Sequence, residues 1–400
     1  MNNADTDVII IGAGPAGLIA ARKLEELDIA YTLVSRESSP GIDKACGGYI
    51  PSRALEEFDI RDLPGSHPID SIRMKFPGLE IKHVDLGKAA GVNVSRENLG
   101  NALLRSVKQK SGEIWLDTEC NKIDSTKNGC VIRYTKENVS STLSCQIVID
   151  ASGANPSSLR FCLVRNRPTN EQMGYAVQYQ MKTEETLSNT NDFYYGSEFS
   201  PRGYAWNFPR DHETVVGTGG LVNKVRESGR RAFDYLNYLV GTVEPLCNEL
   251  KEVGAIIVKE EAALMPLAGI VSPSYGQRIL LAGDAAGHCS PITGEGIHYS
   301  MIGGLKAAEA VAKCLRVDDF SDKSLSQYEQ AWTRAFGSDL KWGLWIQKRF
   351  LETGSQSMGS AFLSSEKSCR IIAEMLLGLR SVRSSILAVI PGYLVSKIRS

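Results

Sequence analysis

No two cysteines of this 400-residue chain stand in a C-x-x-C spacing, and histidine occurs only five times. The nine cysteines (46, 120, 130, 145, 162, 247, 289, 314 and 369) are odd in number. These counts argue against a zinc site or a disulfide framework and for a reducing compartment. No run of 18 apolar residues occurs, so no segment is expected to cross a bilayer as a helix. A polar hexapeptide leads straight into the first apolar run, so no signal peptide is expected and the chain reads as cytoplasmic. Excess charge is missing too. Forty-five basic against 46 acidic residues leave a net charge of −1, which offers no footprint for nucleic acid. Internal repeats, low-complexity tracts and long linkers are also absent. The length suits two or three domains.

What is present begins at Asp7. Val8 to Ile11 has the composition of a strand buried on both faces. Gly12-Ala13-Gly14-Pro15-Ala16-Gly17 follows in the pattern G-x-G-x-x-G, then Leu18, Ala21, Leu24 and Leu27 recur at helical spacing. Tyr31 to Val34 is a second strand. This β-α-β unit places the glycines where a dinucleotide fingerprint sits. Gly12 permits the tight turn, Gly14 bares backbone to a pyrophosphate, and Gly17 lets helix lie close to strand. The helix N-terminus offers free N–H groups to the phosphates. The acidic residue expected after the second strand is replaced by Ser35, followed by Arg36 and Glu37. Either Glu37 takes the ribose hydroxyls, or Ser35 makes a weaker bond.

Further along, 39–51 reads as a loop by its glycines and prolines and 53–58 as a short helix. Strands are expected over 69–74 and 79–84, and Ser95 as the N-cap of a helix. Strands follow over 113–116, 120–124, 131–134 and 141–149. The last runs into Ala151-Ser152-Gly153, small residues suited to close approach of a cofactor. Strands of a second sheet are expected over 174–182 and 192–196. Tyr204, Trp206 and Phe208 then fall on one face of a strand, followed by Gly217-Thr218-Gly219. A helix is expected over 226–240 and a strand over 252–263. A buried strand ends in Gly283-Asp284, and Pro291 to Ile297 makes a glycine-rich entry to a helix running through Leu315. There Asp284 is placed to bind a polyol hydroxyl, and the N–H groups of Gly294, Gly296 and Ile297 to face an electron-poor ring. Helices are expected over 325–336, 340–351 and 368–379. The apolar tail 386–395, interrupted by Pro391-Gly392, either packs on the protein or lies on a membrane surface with Lys397 and Arg399 at its polar end.

With these residues laid out, the chain resembles the geranylgeranyl reductase family, flavoproteins with the para-hydroxybenzoate hydroxylase-like FAD fold. Four motifs carry the resemblance over residues 5–315: Gly12 to Gly17, Cys46-Gly47-Gly48, the Tyr204/Trp206/Phe208-Pro209 box with its later Gly-x-Gly, and Ala282-Gly283-Asp284. The fold implied is α/β: a Rossmann-type FAD-binding domain (1–68, 85–165 and 265–316), an inserted α+β substrate domain (69–84 and 166–264) and a helical C-terminal region (317–400).

The resemblance implies that FAD is held by Gly12, Gly14, Pro15, Ala16 and Gly17 at the pyrophosphate. Ser35, Arg36 and Glu37 would serve the ribose, and Arg96, Ala151, Gly153, Gly283, Asp284, Gly294, Gly296 and Ile297 the rest. It sets Cys46 and Gly47 in a mobile loop at the flavin face, and Tyr204, Trp206, Phe208 and Pro209 along a lipid-binding tunnel. The activity implied is saturation of prenyl C=C bonds. The substrates are membrane-lipid precursors of the digeranylgeranylglycerophospholipid type, or the prenyl groups of chlorophyll or quinones. The electron donor is NADPH or reduced ferredoxin, for no second dinucleotide fingerprint occurs. An isolated alkene gives an unstabilised carbanion if hydride adds first, so proton transfer is expected to lead or accompany it. Tyr204 and Trp206 would then stabilise a tertiary cation, on the order of 1–2 kcal/mol per ring when dry. Cys46 is a candidate acid, since a free thiol has a pKa of about 8.5; a held water is the alternative. Competing readings on the same scaffold are a flavin monooxygenase or halogenase, whose Gly-Trp-x-Trp-x-Ile-Pro box Gly203 to Pro209 approaches, a non-redox isomerase or cyclase, and a flavin-binding protein without turnover.

Overall fold

Alternate side chains of the first strand, Thr6–Ile11, enter two different cores, which is why the stretch Val8 to Ile11 is apolar without interruption. In the computed structural model, which describes residues 4–87, 90–161, 164–352 and 365–389, Val8 and Ile10 pack with the helices Pro15–Glu26 and Ile297–Val317. Ile9 and Ile11 join Ile123, Ile132 and Val148 on the opposite face. The sheet is eight-stranded. Thr6–Ile11 lies between Val139–Asp150 and Tyr31–Val34, parallel to both. Gly112–Trp115 and Ile279–Leu281 extend the parallel array outward. An antiparallel arm, Gly129–Lys136 and Thr118–Thr126, covers the second face. The chain thus reverses its order of strand addition beside Thr6–Ile11, and the crevice at the carboxyl ends of such strands is where an open α/β sheet takes its ligand.

A second, seven-stranded sheet runs in the order Ile256–Pro266, Met173–Lys182, Glu213–Leu221, Tyr204–Arg210, Thr190–Tyr195, Ser71–Lys75, Lys82–Asp85. Its two faces divide by the period of two. Val177, Tyr194, Ala205 and Val216 pack under the helices Ala232–Thr242 and Leu246–Glu252. Ala176, Phe193, Trp206 and Phe208 face the other way, toward the helix Glu366–Leu376. Buried Asp192 is paired with Arg73, whose guanidinium also reaches Glu249. Asn207 donates to the same carboxylate at 3.1 Å, so its charge is compensated on the buried side.

Several expected elements differ. The helix expected over 226–240 is two helices, Val222–Glu227 and Ala232–Thr242, because Gly229 at φ +70° ends the first. The beginning of the strand expected over 252–263 belongs to the helix Leu246–Glu252, and the strand starts at Ile256. The end of the 39–51 loop is a strand, Tyr49–Pro51, which pairs with Gly91–Asn93 in a small three-stranded sheet completed by His67–Ile69. Among the described residues no helix is long and apolar enough to cross a membrane. Of the tail 386–395, Ile386 and Val389 are buried, and 390–395 lies outside the described residues.

Candidate functional site

The glycine turn sits at the carboxyl end of the first strand, and each glycine meets a different neighbour. Gly12 has φ +103°, and a Cβ there would lie 2.5 Å from the Ala151 carbonyl oxygen. A Cβ on Gly17 would lie 1.9 Å from the Gly12 oxygen, so the helix rests directly on the turn. At Gly14 a Cβ would meet nothing within 4 Å: the backbone is open to the cavity. Gly14 is the N-cap of Pro15–Glu26 and makes no side-chain cap, which leaves first-turn N–H groups for an anion. At the end of the second strand, Ser35 Oγ donates to Glu37 Oε2 at 2.7 Å. Burial alone would raise the Glu37 pKa, but the bonds from Ser35 and Arg36 outweigh it and hold the group below its usual value. Both sequence alternatives for the ribose contact are therefore one unit, with the carboxylate as its acceptor.

These residues open on a cavity of about 840 Å³, within the range of a ligand site. Of the expected cofactor residues, Gly12, Gly14, Pro15, Ala16, Ser35, Arg36, Glu37, Cys46, Gly47, Arg96, Ala151, Gly153, Gly283, Asp284, Gly294, Gly296 and Ile297 line it. Gly17 faces the turn instead, as its contact with Gly12 requires. Arg96 opens the helix Arg96–Arg105, which Ser95 caps by accepting from the Asn98 N–H. Arg96 Nη1 is buried and, among the described residues, has no hydrogen-bond partner. An open glycine, an uncapped helix end, a carboxylate at the end of the second strand and a buried guanidinium nitrogen without a hydrogen-bond partner among the described residues together fit FAD. Gly294, at φ +68°, precedes the long helix Ile297–Val317, whose N-cap Gly296 again carries no side-chain cap.

The same cavity is walled on its far side by the aromatic strand. Tyr204, Trp206 and Phe208 all line it. Pro209 does not: the period of two turns its ring to the other face, and its main-chain carbonyl accepts from Asn93 Nδ2 at 2.7 Å. Trp206 lies on the Gly-x-Gly of the neighbouring strand. It pairs in register with Gly217, where a Cβ would lie 2.2 Å from Trp206 Cζ2. The Cys46 loop closes over the rings: a Cβ on Gly47 would lie 2.5 Å from Phe208 Cδ2, and Gly48 sits at φ +84° against the Val94 oxygen. Arg210 Nη2 donates to the Cys46 and Gly47 carbonyls at 3.1 and 3.2 Å. Tyr204 donates to the Thr293 carbonyl at 2.6 Å, which ties the aromatic strand to the glycine-rich helix entry. Burial, then Cys289 and Cys46, push its phenol pKa upward.

The wall holds more than the sequence pattern indicated. Phe193 stands 5.5 Å from Tyr204 and 5.3 Å from Phe208, and Tyr195 stands 5.7 Å from Tyr204. Both come from the neighbouring strand, whose alternation in 192–196 was the available signal. Also in the lining are Glu295, within the glycine-rich helix entry 291–297, and Gln178, within the strand expected over 174–182; the pattern gave neither side chain a role of its own.

Comparison with known proteins agrees with this two-sided layout. The sequence profile of the geranylgeranyl reductase catalytic domain matches residues 172–257, the stretch that includes the aromatic strand. The lycopene cyclase protein profile matches 7–188, mostly the glycine-turn side. A digeranylgeranylglycerophospholipid reductase of Methanococcus vannielii is 27% identical over 351 residues, covering 86% of this chain and 87% of the relative. One from Methanosphaera stadtmanae is 29% identical, covering 82% of each. The chain is similar to geranylgeranyl reductases over most of its length. Among solved structures, a geranylgeranyl bacteriochlorophyll reductase-like protein of Thermoplasma acidophilum superposes with a TM-score of 0.83 at 19% identity over 98% of both chains. A flavin-dependent brominase shares the fold at a TM-score of 0.71 and 16% identity, over 96% of this chain and 98% of the other. The protein therefore has the FAD-binding α/β fold that the resemblance implied. Its neighbours in structure carry out different chemistries, so the reaction must be argued from the site.

Proposed function

We propose that this protein is a geranylgeranyl reductase family member, an FAD-dependent reductase that saturates C=C bonds of prenyl chains, with geranylgeranyl groups of membrane-lipid precursors as first choice of substrate. The observation that carries the reading is the continuity of one cavity from the glycine turn to the aromatic wall. The domain division follows the same line: cofactor on the sheet with the parallel array (1–68, 85–165 and 265–316), substrate on the mainly antiparallel one (69–84 and 166–264), with 317–400 as the C-terminal region. NADPH docking transiently, or reduced ferredoxin, supplies the electrons. The protein works in the cytoplasm, reaching its lipid at the inner membrane face.

The residues around Gly14, Glu37, Arg96 and Asp284 would hold FAD, which when bound and reduced would supply hydride. The chain's own part is to exclude water, hold the alkene and manage charge. Positive charge developing on the more substituted carbon meets the faces of Tyr204 and Trp206, each contributing about 2 kcal/mol when desolvated. Tyr204, its pKa raised by burial, stays neutral and keeps its bond to Thr293. The non-redox reading has support from the profile that covers the glycine-turn side; the match to the reductase catalytic domain over the aromatic strand weighs against it. Mass spectrometry of a geranylgeranyl lipid incubated anaerobically with dithionite-reduced protein is the test. The product should gain the mass of one H₂ per double bond reduced. Unchanged mass, or a hydroxylated or halogenated product with oxygen present, would overturn the reading.

A further inference from the structure

Each alkene reduced consumes a proton, and a cavity filled by a prenyl chain excludes the water that would deliver it. The donor must therefore be recharged from outside. Along one side of the cavity runs a line of titratable groups suited to that task. Glu295 is in the lining. Its Oε1 is buried and, among the described residues, has no hydrogen-bond partner. Three positions on, His298 places Nδ1 3.7 Å from that oxygen, and this nitrogen too is buried and without a hydrogen-bond partner. The imidazole's other nitrogen, Nε2, lies 2.7 Å from Glu57 Oε2. The His298 side chain is 5% exposed and that of Glu57 48%, so the line starts at the cavity and ends in solvent. It is held from both ends. The helix Ser52–Glu57 carries Glu57, and the helix Ile297–Val317 carries His298.

We propose that Glu57, His298 and Glu295 form a proton route into the cavity, with Glu295 as the acid that protonates the alkene; the inference rests on the prenyl-reductase reading above. The alkene π pair forms a C–H bond with the proton of the Glu295 carboxyl, leaving a carboxylate and a cation at the more substituted carbon. That cation takes up the hydride which the proposed function assigns to reduced FAD, and the bond is saturated. His298 then releases its Nδ1 proton to Glu295 and regains one at Nε2 from solvent through Glu57. Arg53 Nη2 stands 3.9 Å from Glu295 Oε1, and Asp339, Tyr49, Tyr299 and Cys289 also face the group. Burial raises the Glu295 pKa and outweighs the pull of Arg53 and His298, with Asp339 adding to the rise. Tyr49, Tyr299 and Cys289 are themselves pushed up, first by burial, so all three stay neutral. The arrangement favours a carboxyl that holds its proton until substrate takes it.

The test uses the full-length, FAD-loaded protein as wild type, Glu295→Gln, Glu295→Asp, His298→Gln and Cys46→Ala. Infrared difference spectra of the resting protein should show a protonated-carboxyl C=O band at neutral pH in wild type and Cys46→Ala and none in Glu295→Gln. Anaerobic single-turnover flavin reoxidation by a geranylgeranyl lipid should slow at least about 100-fold in Glu295→Gln, the range of general-acid catalysis. FAD content and dithionite reduction should be unchanged. Glu295→Asp should recover part of the rate. His298→Gln should slow turnover and displace its pH profile. Absence of the band, or Glu295→Gln saturating the lipid at the wild-type rate, would overturn the route while leaving the reductase reading intact. Wild-type flavin reoxidation with no gain in lipid mass would overturn both.

Discussion

Gly217→Ala is a one-carbon change aimed at the aromatic wall. The added Cβ would stand 2.2 Å from Trp206 Cζ2, 2.4 Å from Cε2 and 2.9 Å from Gln178 Cβ. Ordinary carbon contacts lie at about 3.5–4.0 Å, so the indole must retreat by more than roughly 1 Å. Its flanks are occupied by Phe208 and Tyr204 and by the Cys46 loop, so the ring is driven toward the cavity. Overpacking of this kind costs about 1–3 kcal/mol. A reacting geometry displaced by about 1 Å loses roughly 100-fold in rate. FAD content should not change, because the glycine turn stands on the other sheet. The assays are thermal unfolding, flavin absorbance per protein, and single-turnover reduction of a prenyl lipid. Gly241→Ala is the control: its Cβ meets nothing within 4 Å, and a helical Gly→Ala exchange stabilises by about 0.5–1 kcal/mol. If Gly217→Ala keeps the wild-type melting temperature and turnover, the wall does not hold the substrate as argued.

Three further outcomes follow from the same contacts. Gly14→Ala should fold, with an N-cap cost below about 1 kcal/mol, yet bind FAD at least about tenfold more weakly by isothermal titration, since its new methyl group occupies the open space over the turn. Asp192→Asn should lower stability in urea by about 1–3 kcal/mol, because it weakens the charged hydrogen bonds to Arg73 while Glu249 still holds the guanidinium. His288 is fully buried, accepts from the Gly283 N–H at 3.2 Å, and is pushed down to about 3 by burial and then by Arg165. Below its ordinary 6.5 the unfolded chain takes up a proton that the native state refuses, so this group makes stability fall as pH drops from 6.5 toward 3. Chemical denaturation across that window should show a shallower slope in His288→Gln.

The glycine turn was legible because its chemistry is local: strand, turn and helix are contiguous, and each glycine's neighbour lies within the unit or on the adjoining strand. The aromatic box was legible as one face of one strand for the same reason. What the period of two could not indicate is which strands flank it, so Phe193 and Tyr195 became part of the wall only through sheet pairing. The split at Gly229 escaped notice because the apolar spacing continues on both sides of a residue that turns the chain. Pro209 was grouped with Phe208 by adjacency, although alternation sends neighbouring side chains to opposite faces. Glu295 and His298 stand at helical spacing, but their link to Glu57 spans 241 positions of chain and leaves no local trace.

The Cys46 loop is anchored through main-chain oxygens. Arg210 grips the carbonyls of residues 46 and 47, and Gln178 Nε2 lies 3.4 Å from the first of them. Position and reactivity are therefore separable at Cys46. A replacement there leaves every anchor in place and interrogates sulfur chemistry alone, whereas any side chain at residue 47 collides with Phe208 and interrogates shape. The two neighbouring positions thus form a matched pair of probes, one for what the loop reacts with and one for where it sits.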